Sequence, residues 1–265
     1  MPAPSDLLPM AATVITGTSG AFYYKPAGTI GSFGETNVNT TTDTITVETF
    51  YGFQVGDPVK FSVQNSAGAS PTGTLPAGLT AGTTYYVISY TPSTGALQVS
   101  ATDGGSAVDI TDDGTAIGNN YFQVAYADYE AVGQVREWTF EITRTEIDVT
   151  TIGHDSAQYA PFRSYVAGFA EGTGSTTVYF TTDDENFANR MINDIIQRNQ
   201  TGAYVKLYVD RVFSAGTVSE TLSRSIAMPI VLTSASLSVN PDDAISVAVN
   251  FRPSSSPTFD LVKTA

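Results

Sequence analysis

The chain contains no cysteine, one histidine (His154), and 12 basic residues against 26 acidic ones. Each shortage closes a class of function. Without cysteine there is no disulfide, no thiolate metal ligand and no cysteine nucleophile. One imidazole supplies neither a zinc site nor a histidine relay. A net charge of −14 argues against general phosphate binding, which needs clustered Lys and Arg. No run of about 18 apolar residues occurs. The first ten residues, Met1-Pro-Ala-Pro-Ser-Asp-Leu-Leu-Pro-Met10, have no basic start and no apolar core. The expectation is therefore a protein with no membrane partner, made and kept soluble in a cytoplasm.

What the chain does have is the composition of strands and turns. Its 265 residues include 37 Thr, 24 Ser, 23 Gly, 14 Tyr and 14 Phe, enough for one large domain or two smaller ones. The apolar signal is mostly period two. From Ala244 to Arg252, Ile245, Val247, Val249 and Phe251 alternate with Ser246, Ala248, Asn250 and Arg252. From Arg136 to Thr143, Trp138, Phe140 and Ile142 alternate with Glu137, Thr139, Glu141 and Thr143. Similar patterns occupy 175–182, 204–213 and 225–239. Such alternation predicts antiparallel sheets with one buried and one polar face.

One helix is expected, from about Asp183 to Asn199. Thr182-Asp-Asp-Glu185 reads as a capping box with carboxylates at the positive end of the helix dipole. Phe187, Met191, Ile192, Ile195 and Ile196 form one apolar stripe, and Gly202 closes the segment. This helix should lie on a sheet.

Residues 36–126 read as a separate unit. They hold seven acids and one base, Lys60, with turn signals at Val55-Gly-Asp-Pro58, Pro92-Ser-Thr-Gly95 and Asp112-Asp-Gly114. Short strands are expected at 59–63, 84–90, 96–101 and 107–110, the pattern of a small β-sandwich or barrel. The division is thus 1–35 with 127–265 as one discontinuous β-sandwich domain, and 36–126 as an inserted all-β domain, Ig-like or a small barrel. The fold class is mainly β: an antiparallel sandwich or barrel with one flanking α-helix plus this insertion.

Several constellations look chemical. His154-Asp155-Ser156 has the residue types of a hydrolase triad, but adjacent residues cannot line up nucleophile, base and orienter. Glu171-Gly-Thr-Gly-Ser175 lacks the lysine and third glycine of a phosphate loop and reads as a flexible turn. Asp103–Asp113 offers oxygen ligands for a weak Ca²⁺ site without EF-hand spacing, and a solvated loop is the preferred reading. Asp183-Asp184-Glu185 and Asp242-Asp243 are accounted for by a helix start and a turn. No catalytic, metal or cofactor set emerges, and no enzyme is expected.

Residues 153–174 carry the least regular pattern and the most unusual composition. Tyr159, Phe162, Tyr165 and Phe169 surround Arg163, the composition of an interface hot spot. A long loop carrying subunit contacts is the functional reading; a loop folded over its own core is the plain one.

The order of these features resembles the bacteriophage major tail tube proteins. The resemblance covers about 12–32 and 132–254. It rests on the early strand Ile15-Thr-Gly-Thr-Ser-Gly-Ala-Phe-Tyr23, Val132-Gly-Gln-Val135, the Trp138–Ile142 strand, and Ile147-Asp-Val-Thr-Thr-Ile-Gly153 leading into the long loop. A further strand, the capped helix and paired C-terminal strands follow. It implies a sandwich assembling as six-membered rings stacked into a tube, with four strands per subunit lining the barrel and the long loop reaching an adjacent ring. It also implies partnership with itself and with tape-measure and tail-terminator proteins, DNA passing through without specific binding, and a place in the virion tail after assembly in the host cytoplasm. Glu137, Thr139 and Glu141 are the expected lumen-facing residues. Phe53-Gln-Val-Gly-Asp-Pro-Val59 and Leu79-Thr-Ala-Gly-Thr-Thr-Tyr-Tyr-Val87 look like β-modules appended to phage structural proteins. The competing reading is a receptor- or carbohydrate-binding β-protein of a tail fibre or decoration type, favoured by the tyrosine-rich strands.

Overall fold

Period-two patterning becomes antiparallel pairing. A computed structural model describes residues 17–132, 135–149, 163–179, 187–197, 199–240 and 242–263. In chain order the elements are β1 (Ala21–Lys25), β2 (Ile30–Phe33), β3 (Val38–Asn39), β4 (Thr44–Thr46), β5 (Pro58–Asn65), β6 (Thr84–Thr91), β7 (Ala96–Ser100), β8 (Asn120–Tyr126) and β9 (Glu130–Ala131). There follow β10 (Val135–Asp148), β11 (Tyr165–Tyr179), α1 (Phe187–Ile196), β12 (Tyr204–Asp210), β13 (Phe213–Ser214), β14 (Thr217–Val218), β15 (Arg224–Ser238), β16 (Ser246–Pro253) and β17 (Thr258–Asp260). The fold is mainly β and antiparallel, with one α-helix among the described residues, as the composition and periodicity predict.

The first sheet runs β10-β11-β16-β15-β12-β1-β9, with β17 also on β15. Strand β15 serves two partners. Its first part pairs with β12 and β17, and from Ile230 to Ser238 it pairs with β16. The change falls at Pro229, where the missing N–H suits a residue that leaves one ladder before joining another. The two halves of the sheet enclose a core of Phe22, Leu207, Met228, Val249 and Phe251. Phe22 and Phe251 meet across it with ring centroids 6.0 Å apart. Each such side chain contributes about 1.5–3 kcal/mol when removed from water.

Helix α1 lies on β15 and β16. Met191 is fully buried, and Ile192 and Ile195 pack on the same core. Ile196, expected in the stripe, is instead 79% exposed at the last helical position. The capping segment 182–185 and the Phe187 side chain lie outside the described residues.

The second sheet runs β2-β8-β5-β6-β7-β4-β3 around its own core of Phe33, Ile45, Phe61, Leu97 and Phe122. Its end strands β2 and β3 are joined by the short turn at 34–37. The sheet begins at Ile30, because β2 pairs with β8 from Ile30↔Ala125 to Phe33↔Phe122. Sequence periodicity groups Ile30–Phe33 with the first 35 residues; pairing places that strand here. The strand expected at 107–110 is only an isolated bridge between Ser100 and Ala107.

Residues 165–174 depart most from the loop expected over 153–174. They are the first part of β11, a 15-residue strand hydrogen-bonded to β10. Tyr165 and Phe169 therefore sit on a strand. The Glu171-Gly-Thr-Gly-Ser175 stretch is mid-strand as well, and its glycines answer to packing. A Cβ on Gly174 would stand 2.3 Å from the Phe251 ring, and one on Gly172 would stand 2.8 Å from Pro253. Glycine here marks room for an aromatic core beneath a strand.

Candidate functional site

Four strands, β10, β11, β16 and the second part of β15, present one polar face. Cross-strand register sets Thr139 opposite Ser175, Ser175 opposite Asn250, and Asn250 opposite Ser234. The Thr139 and Ser175 hydroxyls are 2.8 Å apart, and Asn250 Nδ2 donates to Ser234 Oγ at 2.9 Å. The next row is Glu137, Thr177, Ala248 and Ser236. Glu141 pairs with Thr173 on the other side. Glu137, Thr139 and Glu141 are all exposed. Alternate residues turn inward: Trp138 and Phe140 pack on the core, with Val178, Val247, Val249 and Phe251 buried. Ile142, expected to be buried with Trp138 and Phe140, is half-exposed because the core ends before it.

Both margins of this four-stranded segment are open. Strand β10 pairs only with β11, and beyond Ser234 strand β15 pairs only with β16, among the described residues. An open margin is a row of unpaired backbone donors and acceptors, a template for another strand.

The β10–β11 hairpin outruns its neighbour. Pairing of β11 with β16 stops at Gly174↔Phe251, whereas β10 and β11 stay paired to Asp148↔Tyr165. The projecting arms expose Ile147, Val149, Tyr165, Val166 and Phe169, the last at 87%. Arg163 stands 3.9 Å from Asp148, an exposed and loose pair. Tyr159, Phe162 and the His154-Asp155-Ser156 run lie outside the described residues. Apolar side chains this exposed, with no second layer over the arms among the described residues, form a surface that gains free energy from any cover.

The seam between the two sheets holds charges that sequence reading missed. Arg190 of α1 donates through Nη1 and Nη2 to Asp57 at 2.8 and 3.0 Å, and through Nη2 to the Gly52 carbonyl at 2.6 Å. Its Nε faces Asp194 Oδ1 at 3.5 Å. Asp194 Oδ2 accepts from the Tyr24 hydroxyl at 2.6 Å and from the Ala27 N–H at 3.0 Å. Gln197 Nε2 donates to the Phe50 carbonyl. Burial pushes the carboxyls of Asp57 and Asp194 above their ordinary value, against the pull of Arg190. Burial also raises the Tyr24 hydroxyl, assisted by Asp194, so the phenol stays protonated and donates. Burial works against the Arg190 charge, and Asp57 more than offsets it. The only sequence signal was the i, i+4 spacing of Arg190 and Asp194, which reads equally well as a solvated helix face.

The remaining candidates are structural. Asp112 spends one oxygen on the Ala77 and Gly114 N–H groups, as a turn-closing acceptor does. Among the described residues no three His, Asp or Glu side chains converge as metal ligands. A cleft of about 470 Å³ lies where β9 and β1 approach β10, lined by Phe22, Val132, Arg136, Trp138 and Arg211.

No family model matches the chain, and no curated protein does. Solved structures do. A chain of the virion of a native gene transfer agent particle is similar with a TM-score of 0.37 at 13% identity, over 52% of this chain and 89% of that one. A chain from the tail of the empty gene transfer agent particle, refined with C6 symmetry, is similar with a TM-score of 0.36 at 14% identity, over 52% and 87%.

Proposed function

We propose that this protein is a structural subunit of a phage-type tail tube, closing into hexameric rings that stack into a conduit for DNA. The observation that carries the reading is the four-stranded segment with one dry face, one polar face and two open margins. Such a segment is incomplete alone. If β10 of one copy lies beside the second part of β15 of the next, the unpaired groups of both margins are satisfied and the ring closes without an edge.

In this arrangement the hydroxyl and amide rows face the channel, with Glu137, Thr139 and Glu141 among them. A wall of Ser, Thr, Asn and carboxylate offers DNA phosphates little to hold, which suits passage. The apolar hairpin arms, with Arg163, Tyr165, Phe169 and the neighbouring Tyr159 and Phe162, make the contacts between rings. Residues 30–126 form an added unit on the outer side, dispensable for ring closure. Tape-measure and terminator proteins are the partners that such a tube requires, and the virion tail is its place.

Electron microscopy of the purified protein tests this. Six-fold rings or tubes with a central pore are the expected result. A protein that stays monomeric at high concentration, or that retains a glycan or receptor on its tyrosine-rich strands, overturns it in favour of a receptor-binding role.

A further inference from the structure

The four lysines of this chain gather in one region. Lys25 and Tyr204 are register partners across β1 and β12, as are Tyr23 and Lys206. Lys25 Nζ lies 5.4 Å from the centre of the Tyr129 ring and Lys206 Nζ lies 5.9 Å from the same ring. Tyr129 meets Tyr204 edge-on at 5.4 Å. Lys60, from β5 of the other sheet, is close enough to Lys25 for the two charges to repel. Lys263 completes the set through the Glu220 carbonyl.

Three of these lysines are neutralised within the chain. Lys60 pairs with Asp128 at 3.5 Å, Lys206 with Glu220, and Lys263 with Asp260. Lys25 has no carboxylate at ion-pair distance among the described residues. Its neighbours are the Tyr129 ring, Tyr204, the Lys60 ammonium, and Asp128, which attracts Lys25 from beyond ion-pair distance while pairing with Lys60. Lys25 and Lys60 thus share the single carboxylate of Asp128, which leaves a notch of net positive charge beside the Tyr129 and Tyr204 rings, on a chain whose net charge is −14.

The complementary charge is on the same chain. Residues 61–135 contain no Lys or Arg at all. Asp103, Asp109 and Asp113 are exposed in this stretch. Unlike Asp112, they make no hydrogen bond or ion pair among the described residues. Copies that carry a net negative charge repel one another except where such opposite patches meet.

We propose that the notch of Lys25, Lys60, Tyr129 and Tyr204 receives a carboxylate from residues 103–113 of a neighbouring copy. The occupant is a second copy, and the contact is a clasp outside the polar sheet, distinct from ring closure through β10 and β15. It rests on the self-assembly proposed above and adds a second contact to it.

The test mixes unlabelled and ¹⁵N-labelled protein, activates carboxylates with a water-soluble carbodiimide, and identifies amide-linked peptides by mass spectrometry. The expected result is mixed-label links from Lys25 or Lys60 to Asp103, Asp109 or Asp113, weakening at least about tenfold at high salt as screening requires. Exchanging Lys25 and Lys60 for Glu, or for Gln where folding demands it, removes the links. Adding a partner carrying Asp109→Lys and Asp113→Lys to the Glu variant restores association. Assembled protein whose notch lysines link only within a copy, or only to other acids, overturns the clasp and leaves the tube intact. Protein that sediments as a monomer at every salt concentration overturns both.

Discussion

Arg190 and Asp57, 133 positions apart, form a two-pronged ion pair in which the side chains are only 5% and 8% exposed. One belongs to the helix on the first sheet, the other to the turn that opens β5 of the second. The second sheet is therefore fixed to the helix on the first by a buried charge contact. Because Asp194 lies on the same guanidinium, removal of Arg190 strands two carboxylates at once.

Arg190→Met is accordingly expected to cost about 3–5 kcal/mol, the range found when one partner of a buried pair is removed. Urea unfolding followed by fluorescence measures it. A loss below about 1 kcal/mol means that the seam opens to water and the pair does not hold the two units together.

The pH dependence follows in sign from the same carboxyls. Burial raises Asp57 and Asp194 above 3.8, so the folded state binds protons that the unfolded state has released. Their contribution to stability is complete below 3.8 and is lost as pH rises through their raised folded values. Glu220 acts oppositely: Lys206 and Tyr208 hold it below its usual value despite some burial, so its contribution is lost as the medium becomes acidic. Urea midpoints measured from neutral pH down to about pH 5 should rise for the native chain and rise less for Asp194→Asn, in which only Asp57 remains raised. A midpoint that falls over that range contradicts the assignment.

Gly174→Ala should destabilise the monomer by about 1–3 kcal/mol, the usual penalty for forcing extra volume into a filled core. The added methyl meets the Phe251 ring, so Phe251→Leu should recover part of the loss in the double variant. Additive losses in thermal melts would show that the two positions do not share that space.

The exposed hairpin separates folding from assembly. Tyr165→Ala and Phe169→Ala remove side chains that are mostly in solvent in the single chain, so the melting temperature should hardly move. At an interface each truncation costs about 2 kcal/mol, and tube yield should fall steeply. Unchanged tube length and yield in the double variant sinks the contact role.

Replacing residues 30–126 with a short Gly/Ser linker should leave rings of unchanged lumen and smaller outer diameter. The cut falls at Ile30, since β2 belongs to the second sheet. Electron microscopy decides: a widened pore, or an insoluble product, makes the unit part of the wall.

Period-two segments were legible because one buried face imposes its spacing on any strand. Val247, Val249 and Phe251 needed no context to be placed. The β11 arm was not legible: Gly172 and Gly174 look like turn residues, and only the Phe251 and Pro253 rings above them explain why a strand wants no side chains there. Arg190 and Asp194 escaped notice for a related reason. A charged pair on a helix reads as solvated until a second sheet, distant in sequence, covers it. The polar face was readable in part; Glu137, Thr139 and Glu141 share a face by alternation alone, but their continuation through Ser175, Asn250 and Ser234 depends on register between strands far apart in the chain.

Strand β15 gives the molecule a mechanical property. At Pro229 it leaves one half of the sheet and joins the other without a break in the chain. A shear applied to the polar face is thus carried through covalent bonds into the β12–β1 half, and need not be borne by side-chain contacts across the core. The polar face is tethered to its backing by one continuous tendon, and slippage between the two halves requires that tendon to be peeled from its neighbours one hydrogen bond at a time.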